Sequence, residues 1–255
     1  MATLGRINVT PIKGTALQHP SSVDLVPIGI AGSRRFYLSD ERGRLYSSLS
    51  HGPLVRVASE VEDGALRCRF PDGRVVVAQT TALGEPEATD FNGRAVLGRP
   101  VAGEISEAFS DYVGETVRLF RTERDGDGPD EMPLTMVSAA SVQELGRRGG
   151  YQGDLDPLRF RINLELDGAE PFEEETWDGR RVRVGAAVVR IHGQIPRCAV
   201  TAQDPKTGLR DWNTLKQIAS FRPLMPTRQV PFGVYAIVDE PGRVAVGDQV
   251  TPLDA

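Results

Sequence analysis

Val188-Val189-Arg190-Ile191-His192-Gly193-Gln194-Ile195-Pro196-Arg197-Cys198 reads as a β-branched strand running through a glycine and a proline to a thiol. Ala199-Val200-Thr201 then reads as a returning strand, so Cys198 is expected where a strand begins. Asp204-Pro205-Lys206-Thr207-Gly208 is a turn cluster, with proline fixing φ and glycine supplying positive φ. A helix should follow, with Trp212, Leu215, Ile218 and Ala219 on one stripe, Asp211 as N-cap and Pro223 as its stop. A lone thiol beside an arginine has two readings. It is either a small buried hydrophobe or a thiolate kept ionised by a cation or a metal, acting as nucleophile or ligand.

Composition narrows the class. With 255 residues the chain can bury a substantial core, as one large domain or two small ones. Twenty-seven glycines, 18 prolines and 6% aromatic residues favour many short strands and turns over long helices. A net charge of -5 argues against a general nucleic-acid binder. No apolar run approaches a bilayer span, and Met1-Ala2-Thr3-Leu4 opens directly into a strand-like pattern, so a soluble cytoplasmic protein without membrane contact is expected. The two cysteines, Cys68 and Cys198, are expected as free thiols in a reducing compartment. Cys68 alternates with Leu66 and Phe70 as a buried strand residue. No Cys-x-x-Cys, His-Glu-x-x-His or iron-sulfur spacing occurs, so a redox metal must bring most of its own ligands.

Along the chain, strands are expected over 6–12, at Val23–Val26, Phe36–Leu38 and Val55–Val57, and over 66–70 and 74–77. The last two are joined by the Pro71-Asp72-Gly73 turn. These form a small antiparallel unit. The polar stretch from Thr80 to Arg94 places a domain boundary, giving domains 1–93 and 94–255. Ile105, Ala108, Phe109 and Tyr112 at helical spacing predict a helix ending at Gly114, followed by a strand at 117–120. Met136-Val137-Ser138 reads as a strand passing into a helix capped by Ser138 or Ser141. From 159 to 166, Phe160, Ile162, Leu164 and Leu166 alternate with Arg159, Arg161, Asn163 and Glu165, which predicts one strand with an apolar and a polar face. The acidic runs 123–131 and Glu173-Glu174-Glu175 read as solvated surface. The fold class is therefore mainly β with a few helices, α+β.

The Pro196-Arg197-Cys198 step, the Asp-Pro-x-Thr-Gly turn and the ending Phe232-Gly233-Val234-Tyr235 through Gly242-Arg243-Val244-Ala245-Val246-Gly247-Asp248 resemble a MOSC domain. That domain is the C-terminal part of molybdenum cofactor sulfurases and the core of amidoxime-reducing, N-hydroxylated-compound reductases. Arg159-Phe160-Arg161-Ile162-Asn163 is similar to the family's Arg-Phe-Arg-Pro-Asn, with Ile162 in place of the proline. Residues 171–177 resemble its Pro-Phe-x-Glu-Asp-x-Trp. Pro11-Ile12-Lys13-Gly14-Thr15 and Gly32-Ser33-Arg34-Arg35-Phe36-Tyr37-Leu38 resemble the N-terminal β-barrel that precedes MOSC in the reductase branch, with Ser33 where aspartate is usual. The implied architecture is a MOSC β-barrel domain preceded by a smaller antiparallel barrel-like domain.

The resemblance implies a molybdenum held by a pyranopterin dithiolene, molybdopterin, with Cys198 as both metal ligand and catalytic residue. Two sulfurs from the cofactor and one from the protein suit a soft metal. A buried terminal phosphate needs fixed cations, and arginine forks fit it. The cofactor-binding candidates are Lys13, Arg35, Ser138, Ser141, Arg161, Asn163, Arg197 and Cys198. Arg35 reads equally well as a surface ion pair, and Ser138 and Ser141 as helix caps. The implied activity is reduction of small N-hydroxylated substrates, with electrons from an external ferredoxin, haem or flavin protein. Neither an iron-sulfur cluster nor pyridoxal phosphate is expected. Two other readings stand beside it: a sulfur carrier or sulfurtransferase with a Cys198 persulfide, and a non-catalytic cofactor-binding module. Substrate choice is expected to depend on the loops 146–157 and 224–230.

Overall fold

In the computed structural model, which describes residues 1–253, the strands in chain order are β1 (Ala2–Ile7), β2 (Ser22–Val26), β3 (Gly29–Ile30), β4 (Phe36–Asp40), β5 (Leu45–Tyr46), β6 (Ala58–Glu62), β7 (Ala65–Arg69), β8 (Val75–Gln79), β9 (Glu87–Phe91), β10 (Arg94–Pro100), β11 (Val117–Thr122), β12 (Leu134–Ser138), β13 (Leu164–Asp167), β14 (Arg181–Val184), β15 (Ala187–Arg197), β16 (Val230–Glu240), β17 (Gly242–Ala245) and β18 (Gln249–Pro252). The helices are α1 (Ile105–Val113), α2 (Ala139–Arg148) and α3 (Thr214–Ala219).

Seven strands close into a barrel in the order β1-β13-β12-β16-β15-β14-β18. Closure removes the free edges that an open sheet would expose. Leu4, Ile7, Leu134, Met136, Leu164, Leu166, Val189, Ile191, Val234 and Ala236 belong to the apolar cluster of these strands. A five-stranded sheet, β5-β4-β11-β10-β9, and the β6-β7-β8 meander form the second layer, in whose core Phe70, Phe109 and Leu119 are buried with Cys68. The expected hairpin turn at 71–73 joins β7 to β8, and α1 ends at Gly114 with φ +74 as its spacing predicts. The first strand of the chain belongs to the closed barrel, whereas β10, α1 and β11 pack with the N-terminal layer. The 93/94 division falls in the Asn92-Gly93 turn between the paired strands β9 and β10.

Several local expectations are corrected. Ala199–Ala202 is a 3-10 turn, because the Cys198 carbonyl accepts from both the backbone N–H and the hydroxyl of Thr201. Cys198 therefore follows the end of β15. Helix α3 is capped by Asn213, whose side chain accepts from the Lys216 N–H at 3.1 Å, because Asp211 is held by Arg159 at 3.0 Å. The span 159–166 is not one strand. Pro157–Phe160 is a 3-10 turn capped by Asp156, Arg161 takes a left-handed φ of +52, and β13 begins only at Leu164. Arg159 is consequently buried against Asp211. Gly52–Arg56 is also a 3-10 turn, with Pro53 at its start, where a strand was expected at 55–57. The strand expected over 6–12 ends at Ile7.

Strand β15 leaves ideal register with β16 between Ile191 and Pro196, and this carries Pro196-Arg197 across to pair with Pro231 and Val230. The turn that follows is locked by two glycines. A Cβ on Gly208 would lie 2.1 Å from the Gly52 backbone, so only glycine lets the 204–208 turn rest on the N-terminal layer. That contact sets the end of β15 against residues 47–52, and a cavity lies between the two layers.

Candidate functional site

The cavity has a volume of about 450 Å³, and Lys13, Arg34, Arg161, Arg197, Cys198 and Tyr235 line it with Thr135, Ser47 and Ser48. Cys198 is exposed and free, so its sulfur is accessible. Lys13 is 6% exposed, and its ammonium donates at 2.9 Å to the Gly128 carbonyl and pairs at 2.9 Å with Asp130. Burial pulls Lys13 down to about 8, against the opposing pull of Asp130. Burial likewise lowers Arg161 to about 9, with Arg34 adding to the effect. It lowers Arg197 to about 10, partly offset by Cys198 and Tyr235. All three stay protonated at neutral pH, as buried cations with too little negative charge around them.

Backbone strain marks the same place. Arg34 and Arg161 both adopt left-handed φ, +54 and +52, and the Arg34 guanidinium donates to the Arg161 carbonyl at 3.2 Å. Each such residue costs on the order of 1 kcal/mol and persists where its surroundings hold it. Arg161 also donates to the Thr15 carbonyl at 2.6 Å. The Arg197 guanidinium donates to the Phe160 carbonyl and lies 5.3 Å from that ring's centroid, leaving its buried Nε without a partner. The loop after β11 closes one wall. Arg94 donates to the carbonyls of Asp127 and Pro129, and Arg35 pairs with Asp125, so that Asp130, Glu131 and Met132 line the cavity. Burial acts to raise the Asp130 carboxyl, but Lys13, Arg34 and Arg94 hold it below the usual carboxylate range.

Lys13, Arg161, Arg197 and Cys198 are thus brought together. Arg35 is not: it is tied to Asp125, and the neighbouring Arg34 faces the cavity instead. Ser138 and Ser141 do not line the cavity. Ser138 caps α2 by accepting from the Ser141 N–H at 3.0 Å, and the Ser141 hydroxyl donates to Glu174 at 2.9 Å. Asn163 is set behind the wall, accepting from the lining Thr135 hydroxyl at 2.9 Å and donating to the Asn8 carbonyl. The glutamate run is not solvated surface: Glu174 is fully buried, and Glu175 pairs with Arg222 at 2.8 Å. Gln229, from the 224–230 loop, lines the cavity, and no described residue of 146–157 does.

Arg34, Thr135, Asp130 and Tyr235 were not singled out from sequence. A signal existed for Tyr235, which lies two residues beyond Phe232-Gly233 on a strand that pairs it with Thr135. None existed for Arg34 over Arg35, because a left-handed φ decides it.

The donor set has a definite chemical character. Four cations face two carboxylates, Asp130 and Glu131, so two positive charges are left over. A phosphomonoester dianion matches that surplus, and the unpartnered Arg197 Nε gives it a donor. The exposed thiol adds one soft donor, and no group of three or more His, Cys, Asp or Glu side chains that could hold a metal occurs among the described residues. A metal held here would take one protein sulfur and bring its other ligands with it. The residues present fit a phosphate-bearing, sulfur-ligated metal cofactor.

Two family models, taken together, match most of the chain. The model of the MOSC domain matches residues 123–251, and that of the MOSC N-terminal beta barrel domain matches residues 1–116. "Mitochondrial amidoxime reducing component 2" of Homo sapiens is 25% identical over 285 residues, covering 98% of this chain and 83% of the relative. "Molybdenum cofactor sulfurase" of Bos taurus is 33% identical over 139 residues, covering 49% of this chain and 15% of the relative. A solved structure described as YUAD protein from Bacillus subtilis aligns over 98% of this chain and 93% of its own, with a TM-score of 0.45 and 14% identity.

Proposed function

The chain belongs to the MOSC family, and from that premise we propose that it is a molybdenum-cofactor-dependent reductase of N-hydroxylated compounds, amidoximes and hydroxylamines among them. The observation that carries this reading is the accessible Cys198 thiol on a cavity with a surplus of fixed positive charge. A relative named for amidoxime reduction aligns over 98% of the chain, which supports the reductase branch.

In this reading Cys198 supplies the protein sulfur, while Lys13, Arg34, Arg161 and Arg197 hold the phosphate of a pyranopterin dithiolene. The bound cofactor supplies two-electron redox chemistry at molybdenum. The chain supplies charge, position and protons. Arg34 and Arg161 present guanidinium groups from backbone already fixed by their neighbours, so little ordering is needed on binding. The net change is R–NH–OH + 2e⁻ + 2H⁺ → R–NH₂ + H₂O, with electrons from an external ferredoxin, haem or flavin protein. Neither pyridoxal phosphate nor an iron-sulfur cluster in the chain takes part. Two free cysteines support a reducing compartment, and we assign the cytoplasm. Among the described residues no helix is long and apolar enough to cross a membrane.

The test is the chain purified from a cofactor-competent host and supplied with a chemical one-electron donor. Benzamidoxime should yield benzamidine. Molybdenum-loaded chain that leaves amidoximes and hydroxylamines untouched overturns the reading. The exposed thiol and the match to a relative named as a sulfurase favour one alternative, a sulfur carrier with a persulfide on Cys198. Intact-mass measurement showing one added sulfur and no metal would select it.

A further inference from the structure

Arg159 does not line the cavity, yet it holds the turn that carries the thiol. Its side chain is fully buried and forks between two acceptors. Both terminal nitrogens donate to the Asp211 carboxylate, at 3.2 and 3.0 Å, and one of them also donates to the Thr201 carbonyl at 3.2 Å. The same carbonyl accepts the Thr214 hydroxyl at 2.6 Å, so both of its lone pairs are filled. Thr201 lines the cavity, and its N–H and hydroxyl donate to the Cys198 carbonyl at 3.3 and 3.0 Å. Contacts therefore run unbroken from Asp211 through Arg159 and Thr201 to Cys198.

Aromatic packing keeps the fork in place. The guanidinium carbon lies 5.5 Å from the Tyr151 ring centroid and 5.9 Å from that of Trp212, and the two rings meet edge to face at 5.1 Å. Trp212 packs on Gly149, where an added Cβ would lie 2.4 Å from the indole. The loop 146–157, which supplies no described residue to the cavity wall, thus reaches the thiol's turn through Arg159. As a source of stability the ion pair is poor. A buried pair gains little over an apolar filling, and here the Arg159 Nε has no partner. What an apolar side chain could not provide is a rigid set of donors aimed at two fixed points. We propose that Arg159 is a positioning residue: by joining Asp211 to the Thr201 carbonyl it fixes the turn after β15, and with it the direction in which the Cys198 sulfur meets the cavity. This rests on the reading above of Cys198 as the working sulfur.

The test uses Arg159→Lys, which keeps a cation opposite Asp211 but not the fork, and Thr201→Val, which leaves the buried pair intact and removes the hydroxyl bond to the Cys198 carbonyl. Amide hydrogen exchange, followed by NMR on the cofactor-free chain, reads the turn directly. In each variant the protection of the amides at 201 and 203 should fall about 10-fold, the size of one lost hydrogen bond. The ladder amides of β12 and β16 should keep theirs. The double variant should lose no more than the larger single loss, because both changes release one turn. In the molybdenum-loaded variants kcat should fall about 10-fold with KM unchanged, at the low end of what disturbing the support of a metal ligand costs. Protection lost equally across the barrel, protection unchanged at 201 and 203, or additive losses in the double variant would each overturn the proposal and leave Arg159 as framework. Loaded variants that keep the wild-type kcat overturn it too. A loaded wild type that reduces no N-hydroxylated compound overturns the functional reading instead, and the exchange pattern still decides whether Arg159 holds the turn.

Discussion

Two buried polar clusters lie along β12, and they differ in how their charges are met. At its end, Ser138, Ser141 and Glu174 form a closed set: the Ser138 and Ser141 hydroxyls are 2.6 Å apart, Ser141 donates to Glu174, and the Phe172 N–H donates to Ser141 at 2.7 Å. No cation is hydrogen-bonded in that set, and burial raises the Glu174 carboxyl toward its neutral form. Three residues earlier, Thr135 faces the cavity where Lys13, Arg34, Arg161 and Arg197 outnumber their carboxylates. A polar cluster that satisfies itself is framework; one that keeps surplus charge and an unpartnered donor calls for a ligand.

The largest contrast should come from changing one member of each. Cys198→Ser should abolish turnover, by at least about 100-fold given that even outer-shell changes at metal sites cost 10- to 100-fold. Its stability should stay within about 0.5 kcal/mol, because the side chain is exposed. Glu174→Ala should do the reverse. Stripping the acceptor from Ser141 in a fully buried site should cost about 2–4 kcal/mol in urea unfolding, with molybdenum per folded chain unchanged.

Smaller effects separate neighbours. Arg34→Ala should reduce cofactor retention on dialysis about 10-fold, roughly one charge-assisted hydrogen bond. Arg35→Ala should leave it unchanged, because Arg35 is spent on Asp125, itself 63% exposed. The smallest effect is a pH dependence in the cofactor-free chain. Lys13 titrates near 8 when folded and near 10.5 when unfolded, so between those values the unfolded chain binds more protons and stability rises with pH. The rise should amount to about 1 kcal/mol between pH 8 and pH 9 and vanish in Lys13→Met. A flat profile in the wild type would mean that Lys13 is already compensated.

The sequence carried the architecture well where the signal was local. Helix α1 with its Gly114 cap, the 71–73 hairpin and buried Cys68 follow from spacing and turn chemistry. It failed where a long-range partner decides. Alternation over 159–166 predicts a strand, but the partner of Arg159 is Asp211, far along the chain, and Arg161 turns left-handed. Likewise Ser138 and Ser141 read as either caps or ligand contacts until Glu174 is found beneath them. Three consecutive glutamates look like surface until Ser141 and Arg222 claim two of them.

Molybdenum content per chain, measured by elemental analysis after expression in a cofactor-competent host, bears most directly on the cationic cavity and its thiol. The wild type should carry close to one molybdenum, and Cys198→Ser less than about a tenth of that, by the loss expected when a metal ligand is removed. A folded wild type free of molybdenum, or a Cys198→Ser protein that retains it fully, would contradict Cys198 as the ligand and the cavity as the cofactor site.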